Sequence, residues 1–210
     1  MNRRSIFVLV FVFLSVVTAT AQRLGGGLIL GPTLSTMSLS GVDSTRFRPD
    51  YCLGLRLALI PEHFVIGAEL DVIYSRQGTS TKSFTFDNGN KVHWMEKSSY
   101  INIPLLLNVY LRKWKPEDED ESKLIRLRFG PQIGFCLKGD AVESVKDRRK
   151  TVQTISPWPL GSFNRIDYGL TFAVSYWYVE LRYTYGLSNV FKEGEKSTNH
   201  VISVTWSDIW

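Results

Sequence analysis

Tyr176-Trp177-Tyr178-Val179-Glu180-Leu181-Arg182-Tyr183-Thr184-Tyr185-Gly186 reads as one amphipathic strand. Val179, Leu181, Tyr183 and Tyr185 share one face, and Glu180, Arg182 and Thr184 share the other. Successive side chains of a strand point to opposite faces, so this is alternation with period two. In a soluble sandwich the apolar face would be the core. Here a secretion signal precedes a series of long strands of this kind. That combination predicts that the apolar face meets lipid and the charged face fills a barrel.

The signal lies at the start. Met1-Asn2-Arg3-Arg4 is a basic region, and Ile6 to Val17 is apolar apart from Ser15. Ala19-Thr20-Ala21 is an A-x-A cleavage pattern. The run is short for a membrane-spanning helix and reads as a removable signal peptide over residues 1–21. Residues 22–210 then form one domain. Gln22, not Cys, directly follows the cleavage pattern, which argues against a lipid anchor. No later apolar stretch approaches the roughly 20 residues that a spanning helix needs. A membrane location therefore demands a closed barrel, because hydrocarbon tolerates no open sheet edge. The formal charge of +5 falls to about +3 once Arg3 and Arg4 leave. So small a balance, on an exported chain, excludes nucleic acid as a partner and fits weak contact with anionic headgroups.

Eight strands can be marked: about Leu24–Ser35, Tyr51–Ile60, His63–Arg76, Lys97–Arg112, Lys123–Leu137, Asn164–Val174, Tyr176–Leu187 and Asn199–Trp206. Most reach the roughly 9–11 residues that a tilted strand needs to cross a bilayer. In the fourth, Ile101, Ile103, Leu105, Leu107, Val109 and Leu111 oppose Asn102, Pro104, Leu106, Asn108, Tyr110 and Arg112. In the third, Ile66, Leu70, Val72 and Tyr74 oppose Gly67, Glu69, Asp71 and Ser75. The odd connections, about 36–50, 77–96, 138–163 and 188–198, are all long, whereas two of the three even ones are very short. Long outer loops and short periplasmic turns are the mark of outer-membrane barrels. The third even connection holds the acidic run Glu117-Asp118-Glu119-Asp120-Glu121, which reads as a solvated loop. Trp114, Trp177 and Trp210 fall at the expected periplasmic strand ends, where indole rings favour the interface.

Several segments resemble the PorT-like, or outer-membrane β-barrel, family of small barrels in Bacteroidota. They are Gly25-Gly26-Gly27 with Gly31, Tyr100-Ile101-Asn102-Ile103-Pro104-Leu105-Leu106-Leu107, Phe129-Gly130-Pro131 with Gly134, and Asp167-Tyr168-Gly169 followed by Val179-Glu180-Leu181-Arg182-Tyr183 and Gly186-Leu187. The resemblance runs from about Leu24 to the end. It implies an all-β, eight-stranded antiparallel transmembrane barrel in the outer membrane of a Gram-negative, Bacteroidota-like cell. It also implies insertion by the barrel-assembly machinery. The family's named member supports secretion through a type IX system. Val204, Trp206 and Trp210 share the outward parity, and the last residue is aromatic, but the final strand lacks the usual Gly.

The inward positions carry Arg56, Glu69, Asp71, Arg126, Arg128, Asp167, Glu180 and Arg182, four cations against four anions. An eight-stranded lumen is narrow enough for side chains to fill. The balance of sign therefore reads as a structural ionic network, where a selective pore would favour one sign. Catalysis has little support. The histidines are His63, His93 and His200, and Ser203 lies on the face opposite His200. No His or Cys cluster suits a metal, and no cofactor is expected. Cys52 and Cys136 both face inward, as apolar filler or as a bridge, with filler preferred. In the third outer loop, Arg148, Arg149 and Lys150 suit lipopolysaccharide phosphates, and Trp158 between Pro157 and Pro159 suits a rigid external contact. The expected partners are thus outer-membrane lipid, lipopolysaccharide, and secretion or envelope proteins. The leading expectation is a non-enzymatic barrel with a filled lumen and a structural or adaptor role. A small porin-like channel and a lipid-modifying enzyme are the alternatives.

Overall fold

The computed structural model describes residues 23–39, 45–60, 66–81, 84–85, 91–111, 125–146, 151–157, 164–192 and 197–209. They form β1 (Arg23–Leu39), β2 (Thr45–Arg46), β3 (Arg48–Ile60), β4 (Ile66–Thr81), β5 (Phe84–Thr85), β6 (Lys91–Leu111), β7 (Ile125–Lys146), β8 (Thr151–Pro157), β9 (Ile166–Tyr176), β10 (Val179–Gly186) and β11 (Ser197–Ile209). The signal segment and the acidic run lie outside the described residues.

Eight of these strands close into a ring: β1, β3, β4, β6, β7, β9, β10 and β11. Every pairing is antiparallel, and β11 returns to β1, with Gly27 opposite Ile209 and Leu39 opposite Ser197. The fold is an all-β, eight-stranded antiparallel barrel, with no helix among the described residues. The short β2, β5 and β8 extend β4, β6 and β7 at one end. Closure gives each of the eight strands two partners and leaves no edge along the barrel wall.

The alternation of side chains explains why the ring closes inside out. In β9 and β10 exposed and buried positions alternate almost without fault. The exposed ones include Leu170, Phe172, Val174, Val179, Leu181, Tyr183 and Tyr185, whereas Arg128, Glu69 and Glu180 are among the most deeply buried side chains. In β3 the exposed Leu53, Leu55 and Leu57 flank the buried Arg56. An apolar surface running right round a molecule cannot face water. Its solvent is hydrocarbon.

The two ends differ. At one, the connections are 61–65, 112–124 and 177–178. At the other lie β2, β5, β8 and the segment from Leu187 to β11. This matches the expected short-turn and long-loop ends, here called periplasmic and outer. Several boundaries move, two of them with consequences for the interior and the outer surface. Tyr176 closes β9 and pairs with Val179, so Trp177 and Tyr178 make the turn and β10 starts three residues later than expected. Ser175, where the turn was expected, is a buried strand residue. β6 and β7 also reach further at the outer end, because Lys91–Ser99 pair with Lys138–Lys146. A register shift at Ser99/Tyr100 leaves Leu137 and Lys138 both facing outward. Lys97, Lys138 and Asp140 stand on the outer surface here, above the level at which Ile101 begins the apolar run.

Candidate functional site

Few side chains can come to the axis of so narrow a barrel, and those that do are charged. Arg56 of β3 is the hub. Its Nε lies 2.8 Å from Glu69 Oε1 and 2.9 Å from Asp71 Oδ1, and its Nη2 lies 2.8 Å from Glu180 Oε2. Nη2 also donates to Asp71 Oδ2 at 3.1 Å, and Nη1 donates to Ser207 Oγ at 3.0 Å. Arg128 of β7 pairs with Glu180 and lies 3.4 Å from Glu69, and its Nη2 donates to Ser175 Oγ at 2.9 Å. Arg182 of β10 donates to Glu180 Oε1 at 2.7 Å and pairs with Asp71. Asn108 donates to Glu69 Oε2 at 3.2 Å. Glu69, Asp71 and Glu180 each serve at least two arginines, and their side chains have no accessible surface. The cluster ties β3 and β4 to β7 and β10 across the lumen. A buried ion pair is tolerated on these terms only, with partners and hydrogen bonds supplied on all sides.

Six of the eight charged residues expected in the lumen network meet there. Arg126 and Asp167 do not. Arg126 sits near the periplasmic end, where its Nη2 donates to the Trp177 carbonyl at 3.3 Å. Asp167 sits near the outer end, where it accepts from Ser188 and, at 3.2 Å, from Asn199 Nδ2. Both point inward as expected, but the barrel's stagger places them at different heights. Arg148, Arg149, Lys150 and Trp158 lie outside the described residues. So do Trp114, His63 and Trp210, while Trp177 takes its place in the periplasmic turn with φ of 56°.

Above the ions the lumen is polar. Asn102 Nδ2 and Gln77 Nε2 each donate to Ser75 Oγ at 2.8 Å, and Thr171 donates to Gln132 Oε1 at 3.0 Å. A cavity of about 20 Å³ remains beside Cys52, Ile73 and Arg182, room for about one water. Higher still the lumen closes on an apolar cap. Met37 of β1, Tyr100 of β6 and Cys136 of β7 are buried against Val190, which enters from the β10–β11 connection and is 1% exposed. Val190 is held by two main-chain bonds, its carbonyl accepting from Asn164 at 2.8 Å and its amide donating to Ser197 at 2.9 Å. Cys52 and Cys136 are both free thiols, in separate buried clusters.

Sequence reasoning missed three features of the outer mouth: the Val190 cap, the Arg48–Asp50 pair, and Glu96. Arg48 Nη1 donates to the Gln77 carbonyl at 3.0 Å. It lies over Gly78, whose φ of 151° and whose approach to the Glu96 carbonyl leave no room for a Cβ. Glu96 buries Oε1 with no partner, and burial pushes its carboxyl up to about 7, with Arg48 opposing the rise. All three lie in stretches that read as connections, 188–198, 36–50 and 77–96, and Gly78 itself stood two residues beyond the strand expected to end at Arg76.

No group of His, Cys, Asp and Glu among the described residues could hold a metal ion. His200 faces outward, 3.0 Å from the Tyr183 hydroxyl through Nδ1, while Ser203 is buried on the inner side.

A closed ring with an apolar exterior and an ionic interior defines an integral membrane β-barrel. The model of the outer membrane protein beta-barrel domain matches residues 20–192, and the chain belongs to that family. It is accordingly an outer-membrane protein. The match covers every barrel strand except β11. Among solved structures the chain is similar to Ail, the attachment invasion locus protein of Yersinia pestis, in complex with the heparin analogue sucrose octasulfate. The identity there is 9%, with 89% of this chain and 100% of that one covered, at a TM-score of 0.42. Neisserial surface protein A is similar at 11% identity, over 87% of this chain and 95% of that one, with a TM-score of 0.40. The translocator domain of the autotransporter NalP from Neisseria meningitidis is similar at 11% identity over 97% of both chains, with a TM-score of 0.34. No curated protein matches the sequence.

Proposed function

We propose that this is a sealed, non-enzymatic outer-membrane barrel that acts through what its two ends touch. Its role is that of a structural element or an adaptor in envelope biogenesis or protein secretion, the role that the PorT-like resemblance implies. One observation carries the reading. Arg56 binds three carboxylates from strands on different sides of the lumen, so the ions of the central cluster are spent on one another and none of them is left to select a permeant. The Val190 cap adds a second closure above them.

Planar-bilayer recording tests the seal. The purified barrel is expected to give no stepwise current. A stable current that changes with Arg128→Gln or Glu180→Gln makes the protein a channel instead. Activity on lipid has a separate test, since the lipid A mass profile is expected to be the same with and without the gene. In the third outer loop, Arg148, Arg149 and Lys150 carry the charge to meet lipopolysaccharide phosphates, and Trp158 between two prolines suits a rigid external contact. Crosslinking from position 158 in living cells, followed by mass spectrometry, identifies the adaptor's partner.

A further inference from the structure

The ions facing the lumen do not balance once they are sorted by height. From the ionic cluster to the periplasmic end, Arg56, Arg126, Arg128 and Arg182 face Glu69, Asp71 and Glu180. Asp167, which evens the numbers in the sequence, is held by Ser188 and Asn199 at the other end. The three carboxylates are saturated by Arg56, Arg128 and Arg182. Arg126 is left over. It is 9% exposed, has no carboxylate partner among the described residues, and makes one hydrogen bond, to a main-chain carbonyl. Leaving a buried cation unpaired is costly enough that proteins rarely do it without a ligand.

Other donors beside Arg126 are unspent as well. Tyr110 is its register partner on β6, and Arg128 is the next inward residue on β7. Arg126 Nε, Arg128 Nε and the Tyr110 hydroxyl are all buried with no hydrogen-bond partner. Tyr110 and Arg126 stand one residue inside the Leu111–Ile125 pair that ends the two strands, so they line the periplasmic mouth. Near that end the inward positions of β1, β3 and β4 are Gly25, Ala58 and Gly67, which bring no competing acceptor. Together these residues offer one surplus positive charge and three N–H or O–H donors, and the unspent acceptor beside them, Asn108 Oδ1 on β6, is neutral and does not offset the charge.

We propose that Arg126, with the free donors of Tyr110 and Arg128, forms a binding site for a phosphate group that enters from the periplasmic end. A phosphate oxyanion supplies the missing charge, and its tetrahedral oxygens can accept from donors on two strands at once, where a carboxylate has only two oxygens. Guanidinium groups suit this task because they stay charged and donate from a rigid fork. The group's source is either free phosphate or the phosphodiester of a lipid headgroup at the mouth.

The test uses the full mature chain folded in a neutral maltoside detergent, with its melting temperature and calorimetric heats followed as inorganic phosphate is added. The wild type is expected to bind one phosphate and to melt higher as the site fills. Arg126→Gln should weaken binding by about tenfold or more and still fold, since it removes an unpaired charge. Tyr110→Phe keeps the charge and should weaken binding by about threefold. Mixed micelles containing phosphatidylglycerol separate the two sources. If the lipid is the ligand, they raise the melting temperature and abolish the phosphate response. If free phosphate is the ligand, they change neither. The proposal is overturned if the wild type shows no saturable response, or if Arg126→Gln responds as the wild type does. It fails too if phosphate binds only after Glu117, Asp118, Glu119, Asp120 and Glu121 are changed to amides, because the chain would then supply its own anion.

Discussion

Glu180 is the residue on which the interior depends. It accepts from Arg56, Arg128 and Arg182, which come from β3, β7 and β10. Glu180→Gln would leave those cations sharing two carboxylates, and losing one partner of a buried pair costs about 3–5 kcal/mol. The loss should appear as a lower urea midpoint in the heat-modifiable gel assay that separates folded from unfolded barrel. Glu96 gives the opposite sign with pH. Its carboxyl sits at about 7 in the folded protein against an ordinary value of 4.5. Below 4.5 it is protonated whether folded or not, and its contribution to stability is complete. As pH climbs from there through 7, the unfolded chain releases the proton first, and that contribution is lost. Melting temperatures between pH 5 and 8 should therefore fall further for the wild type than for Glu96→Gln. The faces of both glutamates were legible or half-legible from parity. Their surroundings were not. Parity says which way a side chain points, and height comes from register and stagger between strands, which one strand's sequence does not carry. This is why Arg126 and Asp167 read as members of a network that neither joins.

Elements that cross lipid announce themselves through period two, so all eight were visible as strands. What was lost was where they turn and stop. Tyr176-Trp177-Tyr178 holds no Gly, Asn, Asp or Pro, and the expected strands broke at Ser175. Ser175 is instead needed inside, as the acceptor for Arg128. The β10–β11 connection shows the same limit. Nothing marks Val190 as more than a loop valine until the fold sets Met37, Tyr100 and Cys136 round it. That placement is testable through a thiol. Cys136, 8% exposed beneath the cap, should resist maleimide in the wild type and react once Val190→Asp drives the connection into water. Cys52, lower in the lumen with Ile29 and Ile73, should stay unreactive in both and serves as the control.

At the scale of the molecule, the apolar exterior fixes the solvent, and the proposed seal rests on the three arginines and three carboxylates that pair across the lumen. On the proposed reading, activity belongs to the ends, where the Val190 cap and the Arg126 mouth are found. The closing contact between β1 and β11 has one more consequence. It sets Gly27 beside Ile209, so the first and last strands lie next to each other at the periplasmic end. A ring has no privileged beginning, and here the order of synthesis and the order in space part company. A circular permutant that joins the two ends by a short linker and starts anew between β5 and β6 keeps every wall pairing. It should migrate as a folded barrel, with its termini carried to the opposite side of the membrane.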